Sequence, residues 1–135
     1  MRRSLGLFAT AALLLTGCQV ESGGMNHGQV FAFGTSTIDV KPGQTFSLHQ
    51  KLAVVPGSDD WQVVDPRPDP AVLGVVGTDR IKPAGGQVGD GGEVYLVFKA
   101  AAKGTTEVVL ENCLSCTGAL KQTYHSHNTY RVVVG

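Results

Sequence analysis

Apolar and polar residues alternate with a period of two through most of the chain beyond residue 36. The clearest case is Val94, Leu96, Phe98 and Ala100 alternating with Tyr95, Val97 and Lys99, the pattern of a strand with one face on a core. Ala101-Ala102-Lys103-Gly104 reads as a turn, with Gly104 free to take positive φ, and in the strand that follows Thr106, Val108 and Leu110 share a face. Earlier strands are expected at Thr37–Val40, around Phe46, Leu48 and Leu52, at Trp61–Val64 and at Val72–Val76; a last one centres on Tyr130–Val134. Lys41-Pro42-Gly43-Gln44 places proline and glycine as a type II turn requires. Between Asp65 and Pro70, three prolines at alternate positions lack backbone donors, which favours an extended, unpaired connector. Gly89, Asp90, Gly91 and Gly92, ahead of the Val94 strand, look too flexible for a strand and are read as a loop.

No window outside the N-terminus carries a helical repeat. Seven or so short strands separated by turn signals predict an all-β fold, an antiparallel β-sandwich of immunoglobulin-like type, although the pattern leaves a small closed barrel open. The sole tryptophan, Trp61, reads as a plug between the sheets rather than a binding residue. His27 and His49 read as surface residues.

The N-terminus has a different pattern. Arg2 and Arg3 precede an apolar run from Leu5 to Leu15, shorter than the roughly 20 residues of a membrane span and suited to a signal peptide. It ends in Leu15-Thr16-Gly17-Cys18, which resembles the bacterial lipoprotein processing site. That resemblance implies cleavage before Cys18, a diacylglyceryl group on its sulfur and acylation (palmitate, for example) of the new amino group, with the protein on the outer face of a membrane. Residues 1–17 are then the signal, 18–30 a polar, glycine-rich flexible tether, and 31–135 a single domain.

Processing also changes the charge. The 11 basic and 11 acidic residues of the full chain balance; losing Arg2 and Arg3 leaves the mature protein at −2. No basic patch remains, which argues against a nucleic-acid partner.

Enzyme signatures are missing: there is no G-x-S-x-G elbow, no phosphate loop ending in GK[ST] and no HExxH, so no catalytic residue and no cofactor is expected. Asp59, Asp60, Asp65 and Asp69 lack the spacing of an EF-hand loop and read as turn residues. Cys113 and Cys116 would face an oxidising exterior and are read as a local disulfide. The alternative is a zinc or copper site made by Cys113, Cys116, His125 and His127, whose spacing matches no standard finger.

The string Gly89–Leu110, GDGGEVYLVFKAAAKGTTEVVL, resembles the chagasin family, small secreted or surface-attached inhibitors of papain-like cysteine proteases. The matching residues are Gly89, Gly91 and Gly92 of a GxGG loop, then Phe98-Lys99-Ala100, then Gly104-Thr105-Thr106. Family members are immunoglobulin-like sandwiches whose three loops at one end fill the protease cleft without offering a cleavable bond. The resemblance therefore implies a monomeric inhibitor with a papain-like protease as partner. Its contacting residues would be Pro56, Gly57, Ser58, Asp59 and Trp61 in the first loop and Gly89, Asp90, Gly91 and Gly92 in the second. In the first loop only the proline and tryptophan of the family motif are kept; the third, after Glu111, lacks the family's Arg-Pro-aromatic start and carries the two cysteines instead. Two other functions stay open beside inhibition: a metal-binding surface lipoprotein, and an envelope interaction module that keeps only the fold.

Overall fold

A computed structural model describes residues 24–53, 60–82, 90–113 and 125–135. Its elements are all strands: β1 (Gln29–Ala32), β2 (Thr37–Val40), β3 (Thr45–Ala53), β4 (Asp60–Val64), β5 (Leu73–Ile81), β6 (Asp90–Ala100), β7 (Gly104–Cys113) and β8 (His125–Val134). They form two four-stranded sheets, ordered β1-β3-β6-β5 and β2-β8-β7-β4. The alternation that predicts the strands also predicts the core. Leu96, Phe98 and Ala100 of β6 and Phe46 and Leu48 of β3 face Val108 and Leu110 of β7 and Tyr130, Val132 and Val134 of β8, all at most 2% exposed. Phe46 and Phe98 stack at 5.3 Å between ring centres.

Four features differ from the sequence-based expectations. The sheets are mixed rather than purely antiparallel, because β1 runs parallel to β3 and β2 parallel to β8. These two short strands lie at the edge of one sheet each and run in opposite directions. A turn closed by Thr35 N donating to the Ala32 carbonyl (3.0 Å) carries the chain across. Strands of four residues are too short for a hydrophobic period to record their direction or their sheet. Second, Asp90, Gly91 and Gly92 lie inside β6, not in a loop before it. A bulge absorbs the irregularity: between the pairs Lys51–Glu93 and Ala53–Asp90, Gly91 and Gly92 of β6 lie opposite one residue of β3, and Gly92 takes a φ of +84°.

Third, the proline-rich stretch is tied down rather than unpaired. The Asp69 carbonyl accepts from Val72 N (3.0 Å) and Leu73 N (2.9 Å), its Oδ1 accepts from Ala71 N (2.9 Å), and its own N–H donates to Thr106 Oγ1 (2.9 Å). The aspartate between the prolines supplies the local acceptors that proline cannot oppose. The Lys41–Gln44 turn is as expected, with Gly43 at φ +81° and Gln44 N donating to the Lys41 carbonyl (3.1 Å).

The segment before β1 is also more ordered than a tether. His27 Nε2 donates to Asp79 Oδ2 at 2.7 Å and its ring stacks on Tyr95 at 3.7 Å, while Met25 lies over Gly77. Residues 24–28 thus form a strap across the outer face of the first sheet. Ser47 and Val97, on that outward face and in register with Gly77, are fully buried.

Candidate functional site

Register decides where the connections emerge. In the first sheet Ala53 pairs with Asp90 and Ile81 with Glu93, so β3 and β5 end where β6 begins. In the second, Asp60 pairs with Cys113 and Cys113 with His125, so β4 and β8 begin where β7 ends. Segment 54–59 joins β3 to β4 and therefore joins these two ends. Segments 54–59, 83–89 and 114–124 accordingly all depart from and return to one end of the sandwich.

The opposite end is closed by short bonds: Gly43 N to the Ala100 carbonyl (2.8 Å), Ala100 N to the Gln44 carbonyl (2.9 Å) and Ala101 N to the Val72 carbonyl (2.8 Å). The stitched end carries the connections 41–44, 65–72 and 101–103, and the other carries 54–59, 83–89 and 114–124. Rigid strands beneath grouped loops are the usual arrangement of a binding surface.

Pro56, Gly57, Ser58, Asp59, Gly89 and Cys116 lie outside the described residues, as does Cys18. Trp61 is half-buried on the edge strand β4, packed against the core and edge-on to Phe33 at 4.9 Å. Phe33 is held in turn by Tyr130, whose hydroxyl donates to the Phe33 carbonyl (2.9 Å) and accepts from Asn128 Nδ2 (3.3 Å). Trp61 therefore anchors the first loop's return to the sandwich, which agrees with its reading as a plug. Asp90, Gly91 and Gly92 open β6 at the same end, with Gly91 half-exposed and Gly92 buried.

Beside them, on the outer face of the first sheet, lies a cluster that sequence reasoning missed. Tyr95 stacks between His27 and His49, whose ring centre is 4.5 Å away, and its hydroxyl donates to Glu93 Oε2 (3.2 Å). Burial, then the Glu93 charge and hydrogen bond and the more distant Asp79, raise the Tyr95 pKa above its usual value. His49 Nε2 is buried with no hydrogen-bond partner, Glu93 Oε1 being 3.7 Å off. The two histidines are therefore partly buried stacking groups rather than surface residues. His49 reaches Tyr95 because β3 and β6 are neighbours, and His27 reaches it because residues 24–28 cross the outer face of the sheet.

On the outer face of the second sheet, Gln62, Glu111 and His127 form one cross-strand row. With Val64, Asp65 and Arg67 they line an open groove of about 420 Å³. Glu111 is only 2% exposed, with Oε1 3.9 Å from His127 Nε2. The backbones of Cys113 and His125 pair two residues further along the same strands, and Cys116, the remaining cysteine of the alternative metal site, lies outside the described residues. Among the described residues no group of three or more His, Cys, Asp or Glu is placed to hold a metal ion.

A two-sheet sandwich with these eight described strands is the chagasin-like fold. Two solved structures share it. One is the cysteine protease inhibitor EhICP2 from Entamoeba histolytica, 14% identical, with a TM-score of 0.56 over 79% of this chain and 95% of that one. The other is the solution structure of amebosin, 17% identical, with a TM-score of 0.59 over 80% of this chain and 98% of that one. No family model and no curated protein matches the chain.

Proposed function

We propose that this protein is an inhibitor of papain-like cysteine proteases, not an enzyme, and that it is held at the outer face of a membrane by an acylated Cys18. The observation that carries the inhibitor reading is the convergence of three connections at one end of the sandwich, one of them running into Asp90-Gly91-Gly92. A fold shared with a cysteine protease inhibitor supports it.

The wedge would work by shape. Glycine backbone reaches a groove wall more closely than a side chain permits, and the strands beneath hold the loops in place, so little ordering cost is added on binding. No bond needs to form or break. Trp61, fixed against Phe33, and the bulged start of β6 would set the positions of the first two loops.

The test is inhibition of a small panel of papain-like proteases by wild type and Gly91→Glu. Gly91 is the better site for the change because, unlike Gly92, its φ is not positive, so glutamate adds bulk and charge without backbone strain. Gly91→Glu is expected to abolish inhibition while leaving the far-ultraviolet circular dichroism unchanged. Wild type that inhibits no member of the panel, or a Gly91→Glu variant that inhibits as well as wild type, refutes this placement of the wedge.

A further inference from the structure

Among the described residues, the large apolar side chains that remain exposed are not scattered. Met25 is 37% exposed, Val75 39%, Val76 53% and Ile81 43%; three lie along β5 and the fourth is in the strap over β5. The fifth, Val30, is on β1 at the opposite edge of the same sheet. Strand β5 is an edge strand of nine residues, and a register shift between Val75 and Gly77 turns part of it out of the ladder. A concentration of exposed apolar residues on one long edge is unusual for a surface that faces only water.

The N-terminal strap sets where this edge is carried. Residues 24–28 are fixed on β5 and β6 by Met25 and His27, so the chain leaves the domain beside β5. Six peptide units separate Gly24 from Cys18, a reach of at most about 20 Å fully extended. That is comparable with the size of the domain itself, whose radius of gyration is about 13 Å for a chain of this length. Such a leash keeps the body close to the seated acyl chains and brings the edge the chain leaves by, β5, nearest to them with the least stretching.

We propose that the β5 edge, with Met25, rests on the lipid surface, so that the domain lies docked beside its anchor instead of swinging on it. This rests on the reading of Cys18 as acylated. Val75, Val76, Ile81 and Met25 enter the interface, and the basic Arg80 and Lys82 flank Ile81 at the level of anionic headgroups. The edge backbone requires hydrogen-bond partners, which confines docking to the headgroup region and keeps it out of the hydrocarbon. With β5 along the surface, the end bearing the three connections projects sideways, parallel to the membrane and open to an approaching protease.

The experiment uses the processed lipoprotein in vesicles of phosphatidylethanolamine and phosphatidylglycerol containing brominated lipid. Val76→Trp and Ile81→Trp report on the β5 edge and Val30→Trp on the opposite edge, each read over the constant emission of Trp61. The expected result is that the tryptophans at 76 and 81 lose emission to the brominated lipid and shift to the blue, while the one at 30 does neither. Equal quenching at all three positions, or none at 76 and 81 although flotation shows bound protein, overturns docking and leaves the anchor intact. A blue shift at 76 without vesicles would show β5 covered by a second copy of the chain and overturns it as well. Protein that never floats with the vesicles defeats the anchor and the docking together.

Discussion

Gly28 shows how much one residue position can require. Its φ is +59°, and a Cβ built there would overlap the Thr45 carbonyl oxygen as the chain enters β1. Gly28→Ala should therefore cost about 1–3 kcal/mol, from left-handed backbone and the forced retreat of β3. Gly24→Ala, with nothing within 4 Å of its Cβ, should be nearly neutral in the same urea denaturation. Tyr130 makes a prediction in pH. Its hydroxyl is buried, and burial raises its pKa, with the Asn128 hydrogen bond partly offsetting this. The folded state holds that proton more tightly than the unfolded chain, so the contribution to stability is complete below the unfolded value of about 10 and is lost as pH rises through the higher folded value. Tyr95 acts in the same direction. Stability should fall above about pH 10, and Tyr130→Phe should flatten that fall while costing about 1 kcal/mol at neutral pH through the lost bond to Phe33.

At the scale of elements, β6 was the most legible. Its period-2 pattern names Val94, Leu96, Phe98 and Ala100 as the inward face, and all four are buried. Phe98→Ala should cost on the order of 3–5 kcal/mol, because the Phe46 ring stacked on it would face a cavity; chemical denaturation measures it. A loss well under 1 kcal/mol would mean that the face is not part of the core. The start of β6 was not legible. Glycine-rich sequence weakens a strand but does not forbid one, and Asp90–Gly92 pairs with β3 through a bulge in β6 itself, where Gly91 and Gly92 lie opposite one residue of β3. Strand β1 and the strap were hidden for a related reason. QVFA is too short to show a period, and the His27–Asp79 and His27–Tyr95 contacts join residues more than fifty positions apart.

For the whole molecule, the sequence motifs and the topology carry different parts of the functional reading. If Cys18 is the attachment point, Cys18→Ser should move the processed protein from the membrane to the soluble fraction, since one apolar edge alone anchors only weakly. Fractionation that still finds the fully cleaved variant on membranes would refute acylation at that residue. The GxGG motif points to one loop in the sequence, but a loop by itself is not a wedge. Only the pairings Ala53 with Asp90, Ile81 with Glu93 and Cys113 with His125 bring three connections to one end.

From its residues alone the chain determined seven of its strands, the inward faces of β6 and β7 and the all-β class. These follow from local rules: a period of two, turn residues at fixed offsets, and apolar side chains that must leave water. Tertiary structure alone decided which strands are neighbours, that β1 and β2 run parallel to their partners, and that His27, Tyr95 and His49 stack. It alone also left Met25, Val75, Val76 and Ile81 exposed together on one edge. Pairing between distant strands depends on the whole set of competing registers and not on any one window, so no local pattern records it.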